Sequence, residues 1–426
     1  MRKLILVMFI ALLTFNANAQ FNLEAEIRPR AEFRNGFKTP HNPDVVPAFF
    51  IEQRSRLYFN YTTEDVILKI SLQDVRIWGS VSQVYKSDPN LQNVNEAWGQ
   101  FNFNKNIGVK AGRMELDYDN ARFLGNLAWA AQSRSHDAFL FLWKNNDGMK
   151  LDIGLAYNQN PLNEPSKLNN NFYNHTVTNN YKTMQFAHFK VKKEGGNFSA
   201  LIHNDGRQVA ADSSMAYRQT FAVLGDKSFG EMKLEGEFYY QTGKNGSNIG
   251  VNAVLAALYA TIKTDITPVT FGGEYLSGTN STDTQDRSFA PLYGTNHKFY
   301  GFMDYFYVGN GHSNKGLVDL NVKTNFKVGD KSNLLAHAHY FMSPTDILDP
   351  LDPTQTLSSS LGTEVDLVFN VKLNQVVNLK VGYSQMFASS SMVEIKGTGD
   401  TASTNNWGWL MFTFKPSLFE SIKEEL

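Results

Sequence analysis

The feature that most limits the fold of this chain is a two-residue alternation of apolar and polar side chains, held through long segments. In Met232–Gln241, the residues Met232, Leu234, Gly236, Phe238 and Tyr240 fall on one side, while Lys233, Glu235, Glu237, Tyr239 and Gln241 fall on the other. Val318, Leu320, Val322, Thr324 and Phe326 oppose Asp319, Asn321, Lys323, Asn325 and Lys327, and the segment from Thr363 to Leu373 repeats the pattern. Successive side chains of an extended chain point to opposite faces, so these segments are strands with one apolar and one polar face. Strands of soluble sheets are mostly about five or six residues long. Several here run to about ten, the length that crosses a bilayer at a tilt.

Composition narrows the choice further. Aromatic residues make up 13% of the chain, yet mean hydropathy is −0.34. Beyond the N-terminus no apolar stretch approaches the roughly eighteen residues a membrane helix needs, and the longest, around Ala253–Ile262, falls short. A membrane protein of this kind must be a closed β-barrel, because lipid offers no partner to an unpaired backbone group. The chain has no cysteine, which removes disulfide staples and Cys-ligated metal sites. Its 40 basic and 41 acidic residues create no global basic field, so nucleic acid is not an expected partner.

Arg2 and Lys3, the apolar run Leu4–Leu13 and the Ala17-Asn18-Ala19 site read as a secretory signal peptide over residues 1–19. No cysteine follows the expected cleavage point, so a lipoprotein anchor is not expected. The remainder, 20–426, reads as one all-β domain, a single transmembrane antiparallel barrel in the outer membrane. Residues 415–426 read as a periplasmic tail after the aromatic terminal strand NWGWLMFTFKP.

Tight turns such as Thr62–Asp65, Lys144–Gly148, Lys193–Asn197, Val328–Asn333 and Asn374–Val377 alternate with long polar segments at 79–92, 159–182, 278–297, 343–360 and 388–404. Short turns on one side and long loops on the other are the barrel pattern. Counting every alternating segment gives nineteen strands, which breaks this rhythm near Asn310. The odd segment is HKFYGFMDYFY (297–307), aromatic on both faces. Placing 298–306 inside the pore as loop leaves about 18 strands and restores the rhythm; an even number is the rule for such barrels.

Charge then marks candidate positions. Glu52, Arg54, Arg56, Tyr58 and Asn60 share one face of the Phe50–Asn60 strand, and a buried Arg facing lipid would cost about 2–4 kcal/mol. That face therefore lines the lumen, either as a ring that selects solutes or as an ion-pair ladder that stiffens the wall. Glu96, Trp98 and Gln100 share the lumenal face of a later strand. His337 and His339 sit two apart on one strand face, but no third ligand is identifiable in sequence, and no metal or cofactor is expected. No GxSxG, Walker A or HExxH motif is present.

The stretch GRMELDYDNARFLGNLAWAAQSRSHDAFL (112–140) gathers most of the remaining charge. Gly112-Arg113 closes one strand, Asp117–Asn126 reads as loop, and Ala128–Trp143 as the returning strand. Here the chain resembles the alginate export porin family, through Gly112-Arg113, Leu116, Tyr118, Arg122, Gly125, Trp129, Arg134 and Asp137. The HKFYGFMDYF segment and the QRSRLYFNY strand match as well. The resemblance implies an eighteen-stranded barrel with an Arg-rich constriction that passes an anionic polysaccharide or a similar solute, with periplasmic export partners as an open prospect.

The expected path residues are Arg54, Arg56, Arg113, Arg122, Arg134 and Lys298, oriented by Glu52, Glu96, Asp137 and Asp304. Guanidinium pairs bidentately with carboxylates and stays charged, so repeated sites of moderate strength permit passage. The expectation is a porin or exporter conducting anionic or polar solutes, including oligosaccharides, by passive diffusion rather than an enzyme. A barrel enzyme, or a scaffold barrel with an occluded lumen, is the alternative.

Overall fold

A computed structural model of the chain describes residues 19–81, 92–158, 180–209, 212, 214–306 and 311–421. All of the proposed leader except Ala19, and residues 422–426 of the proposed tail, lie outside them. The strands in order are β1 (Gln20–Asn35), β2 (Ala48–Thr62), β3 (Val66–Ile77), β4 (Gln92–Asn102), β5 (Ile107–Met114) and β6 (His136–Lys144). They continue with β7 (Met149–Tyr157), β8 (Thr183–Lys193), β9 (Gly196–Gln208), β10 (Met215–Phe229), β11 (Met232–Lys244) and β12 (Gly250–Ile262). The last are β13 (Val269–Leu276), β14 (Leu317–Gly329), β15 (Ser332–Met342), β16 (Ser360–Lys372), β17 (Val377–Ala388), β18 (Asn405–Phe414) and the short β19 (Ser417–Glu420). Among the described residues there is one α-helix, α1 (Ser390–Lys396), capped by Ser389, whose side chain accepts from Met392 N.

Each strand pairs antiparallel with its sequence neighbour, and β1 closes the ring on β18 through register pairs such as Arg30↔Met411. β19 continues the same stave along β1 beyond Pro416, with Leu23↔Phe419. The wall is thus an 18-strand barrel. The wall also runs past Lys415, where the sequence reading began the tail. Pro416 lacks an N–H for the ladder, so it interrupts the stave without ending it.

The eight connections from β2–β3 to β16–β17 on one side are tight, whereas the opposite side carries the long loops, with 209–214 and 245–249 as its short members. Ile153, Leu155, Phe198, Ile202, Phe221, Val223, Leu258, Phe271 and Leu320 are exposed on the outer surface. Such a belt of apolar surface belongs against lipid.

Among the described residues, two loops fold inward into the lumen. Residues 298–306 are not in the wall: a 3-10 turn, Asn296–Lys298, leads into a coil with Tyr300, Met303 and Tyr305 almost fully buried. Residues 115–135 form the second insert. The returning strand begins at His136 rather than Ala128, because Leu127 and Ser133 take positive φ (53° and 59°) that a strand does not accommodate. The two inserts pair with each other through the Leu124↔Tyr293 bridge and Thr295 N–Ala121 O at 2.8 Å. Gly125 and Gly294 allow this approach: a Cβ on the first would strike Thr295 and Ala121, and on the second the Arg122 carbonyl.

Candidate solute path

The inserts are fastened by charge. On β1 and β2 the inward positions carry Glu26, Arg28, Arg30, Glu32, Arg54 and Arg56, all buried. Arg28 donates to the carbonyls of Ala128 (2.8 Å) and Trp129 (3.0 Å), and Arg30 donates to Trp129 O at 3.0 Å. Arg54 donates to Glu26 at 2.8 Å and to Ala128 O at 3.2 Å, while Arg56 donates to Gln73 at 2.8 Å and Ser133 Oγ at 2.6 Å. Glu52 accepts from Arg30. These guanidiniums satisfy carbonyls that an irregular loop leaves without a ladder partner, so this wall reads as a brace. Arg28 and Arg30 were not among the sequence candidates, although EIRPRAEFR has charges at every second position that mark its lumenal face.

Arg122, 1% exposed, is held against the wall at β11, β12 and β13. It donates to Glu237 through Nε (2.9 Å) and Nη2 (3.1 Å), to Glu274 at 2.5 Å, to Tyr300 Oη at 2.9 Å and to Tyr259 Oη at 2.7 Å. Its guanidinium carbon also lies 3.9 Å from the centre of the Phe299 ring. Burial alone would lower its pKa, but Glu237 and Glu274 more than reverse this and hold it well above the ordinary arginine value. Burial acts the other way on Asp119 and pushes it up, yet hydrogen bonds and charge from His188 (2.8 Å) and Lys190 (3.0 Å) hold it down at about 2.

This layer divides two cavities. The inner one, about 380 Å³, is lined by Asp119, Glu235, Glu237, Tyr259, Lys298 and Lys323, beside the tight turns. The outer one, about 800 Å³, is lined by Arg134, Tyr181, Arg207, Arg218, Tyr293 and Tyr300, beside the long loops. Tyr300 faces the outer cavity and Tyr259 the inner, and Arg122 bonds to both.

The outer cavity holds the arginines least committed to carboxylates. Arg134 donates to the carbonyls of Gly125 (3.4 Å) and Gly294 (3.1 Å). The Arg218 side chain makes no hydrogen bond among the described residues and its buried Nε is unpartnered, with Asp205 and Asp286 near but beyond ion-pair distance. Arg207 pairs with Asp205 at 2.9 Å, and Tyr293 also donates to Asp205. Arg207 and Arg218 were missed in sequence. Their signal was an alternating charge, as in HNDGR and YRQT, with no neighbouring arginine to draw notice.

The other candidates scatter. Arg113 and Asp137 pair at 3.0 Å on the outward alternation near the mouth, 44% and 57% exposed, where both also border the outer cavity. Gly112 and Met114 occupy the inward positions of β5 instead, which a one-residue shift of phase decides. Glu96 is bound by Lys69 and by Trp98 Nε1 at 3.0 Å. Lys298 reaches the Asn120 carbonyl at 3.0 Å and faces the inner cavity. Asp304 accepts from His297 at 2.8 Å within its own loop.

Residues 19–399 match the family model described as Alginate export. The chain belongs to the alginate export family. No curated protein sequence matches this family member. Its fold is similar to the crystal structure of Acinetobacter baumannii OccAB4, with a TM-score of 0.62 at 10% identity over 94% of this chain and 98% of that one. The outer membrane protein OpdK of Pseudomonas aeruginosa gives 0.62 at 11% identity over 94% and 98%. OpdK with vanillate gives 0.60 at 10% identity over 93% and 98%. The family and the fold together make this protein an outer-membrane β-barrel channel of the porin kind.

Proposed function

We propose that this alginate export family member passes anionic or polar solutes, including acidic oligosaccharides, by passive diffusion, and that solutes enter through the outer cavity. The observation that carries the reading is the pair Arg134 and Arg218, guanidiniums at the outer cavity with no carboxylate at ion-pair distance among the described residues. A guanidinium without a fixed counter-ion is available to a mobile carboxylate, and guanidinium geometry suits carboxylates bidentately. Tyr181 and Tyr293, packed with His136 in a buried aromatic cluster, back this cavity. Vanillate, an aromatic carboxylate, in the OpdK structure is consistent with this chemistry in a barrel of similar fold.

The Arg122 layer is then the gate or narrowest point between entry and exit. Net charge supports local rather than global selection, because 40 basic and 41 acidic residues leave no overall anion trap. The reading makes the protein a conduit, not an enzyme.

The test is conductance in planar bilayers under a salt gradient. The wild-type channel should conduct with a reversal potential favouring anions, and swelling of liposomes should proceed with uronate oligomers faster than with neutral sugars of equal size. A barrel that carries no current at any voltage supports the occluded scaffold instead, which the fully bonded Arg122 layer would also suit.

A further inference from the structure

We propose that His337, His339 and Asp366 form a binding site for a divalent transition-metal ion, with zinc as the fitting probe, at the point where the 296–306 insert meets the wall. Their candidate ligand atoms lie within 4.8 Å of one another, and all three residues are buried. The placement follows from strand register. His337 pairs with Asp366 and His339 with Glu364 across β15 and β16, so the four side chains form a two-by-two patch on the lumenal face. His339 Nε2 lies 3.9 Å from Asp366 Oδ2, and the two imidazole centroids are 3.8 Å apart.

Two independent features point to a missing partner. First, both ring nitrogens of His337, Nε2 of His339 and Oε2 of Glu364 are buried without a hydrogen bond. Buried polar atoms are almost always bonded, and four orphans in one patch would be costly unless something binds them. Second, the surrounding groups already orient the ligands. His339 directs Nδ1 at Asp319 Oδ2, at 2.8 Å, which leaves Nε2 as the free atom. A carboxylate on the far nitrogen is how metal-bound histidines are usually fixed. Ser384 donates to Asp366 Oδ1 and keeps that carboxylate turned.

Two imidazoles and a carboxylate suit zinc or a similar borderline ion rather than calcium or magnesium, which take oxygen. Access exists, because His337 also lines the inner cavity. Lys323, its register partner on β14, faces the same cavity, as do Lys298 and Lys190.

The insert closes the site from above. Met303 N donates to Glu364 Oε1 at 2.8 Å, Phe302 N approaches Asp366 Oδ2 at 3.4 Å, and Gly301 lies so close to Glu364 that a Cβ would strike the carboxylate. A bound cation would neutralise the carboxylates on which this loop rests, so metal and loop should stabilise each other.

The experiment is zinc titration of the purified full chain in detergent after chelator treatment, by calorimetry and by metal analysis after desalting. The wild type should retain one equivalent, and zinc should raise the unfolding midpoint and slow proteolysis of the insert. His337→Ala and Asp366→Asn should abolish the retained equivalent, and Asp319→Asn should weaken binding by about 10–100-fold. Heat-modifiable gel migration reports folded barrel for each variant, and His337→Gln replaces any variant that fails to fold. Cobalt supplies a second readout, as a visible absorption band from nitrogen and oxygen ligands. Absence of stoichiometric zinc in the wild type would overturn the proposal, and so would an unchanged affinity in folded His337→Ala or Asp366→Asn.

Discussion

The β1–β2 wall and the β9–β10 wall each present arginines to the lumen, and they use them in opposite ways. On β1–β2, Arg28, Arg30, Arg54 and Arg56 face the irregular backbone of residues 128–130 and the side chains of Glu26, Glu32, Glu52, Gln73 and Ser133. On β9–β10, Arg207 is ion-paired with Asp205, whereas Arg218 borders the outer cavity with its Nε unbonded and Asp205 and Asp286 beyond ion-pair distance. The same residue type is a fastener where a loop supplies acceptors and a candidate solute contact where none arrives. Arginine content by itself therefore does not locate a selectivity site; the census of acceptors around each guanidinium does.

Arg122 gives the largest effect, since it stands between both regimes. Arg122→Ala would leave Glu237 and Glu274 buried with no cation, a loss of about 3–5 kcal/mol for breaking such a pair. The inserts should loosen, and single-channel conductance should rise several-fold with increased noise. If the conductance and the unfolding midpoint both stay at wild-type values, the layer neither closes the path nor anchors the loops.

Next comes charge reversal within the comparison itself. Arg218→Glu with Arg134→Glu should move the reversal potential toward cations and slow uptake of uronate oligomers. Arg30→Gln, on the fastening wall, should instead lower the unfolding midpoint by exposing Trp129 O and Glu32, with a smaller change in selectivity. Equal shifts in selectivity from both walls would dissolve the distinction drawn between them.

A third effect depends on pH. Asp119 has its folded pKa lowered from 3.8 to about 2 by His188 and Lys190 acting against burial. A depressed carboxylate stabilises the folded arrangement fully above the unfolded value, and the contribution fades as pH falls from near 3.8 through about 2. Docking of the 115–135 insert on β8 should weaken within that window, read as hydrogen exchange in residues 117–125. Asp119→Asn should remove the step; a wild-type step that survives in the variant would assign it to another group.

Much of this architecture was legible in the sequence because barrel walls repeat one rule. Period-2 alternation in β11, β14 and β16 set the faces, and the aromatic crowding of HKFYGFMDYF on both faces betrayed a segment with no lipid side. The interior was harder. Ala128–Ser135 looked like strand because its small and apolar residues satisfy a local pattern, whereas the positive φ at Leu127 and Ser133 reflects tertiary contact with Arg28, Arg30 and Arg54. Glu237 and Glu274 meet Arg122 only after the wall has curved around it, so spacing along the chain carries no trace of that meeting. The same holds for Asp366, which reaches His337 through register and not through a motif.

The smallest effect belongs to Arg113, whose sequence neighbourhood made it look like a member of the path. Its pair with Asp137 lies on the outward alternation at the rim, with both side chains about half exposed, and its Nε donates to the Val94 carbonyl at 3.0 Å. Solvent screens such a pair, and exposed ion pairs contribute about 0–1 kcal/mol. Arg113→Ala should therefore leave the reversal potential within error and shift the unfolding midpoint by a degree or so at most. Arg113 and Arg134 both border the outer cavity and differ in partner, an exposed carboxylate for Arg113 and two loop carbonyls for Arg134. A selectivity change from Arg113→Ala as large as that from Arg134→Glu would mean that solutes are sorted before they enter the lumen, at the outer rim.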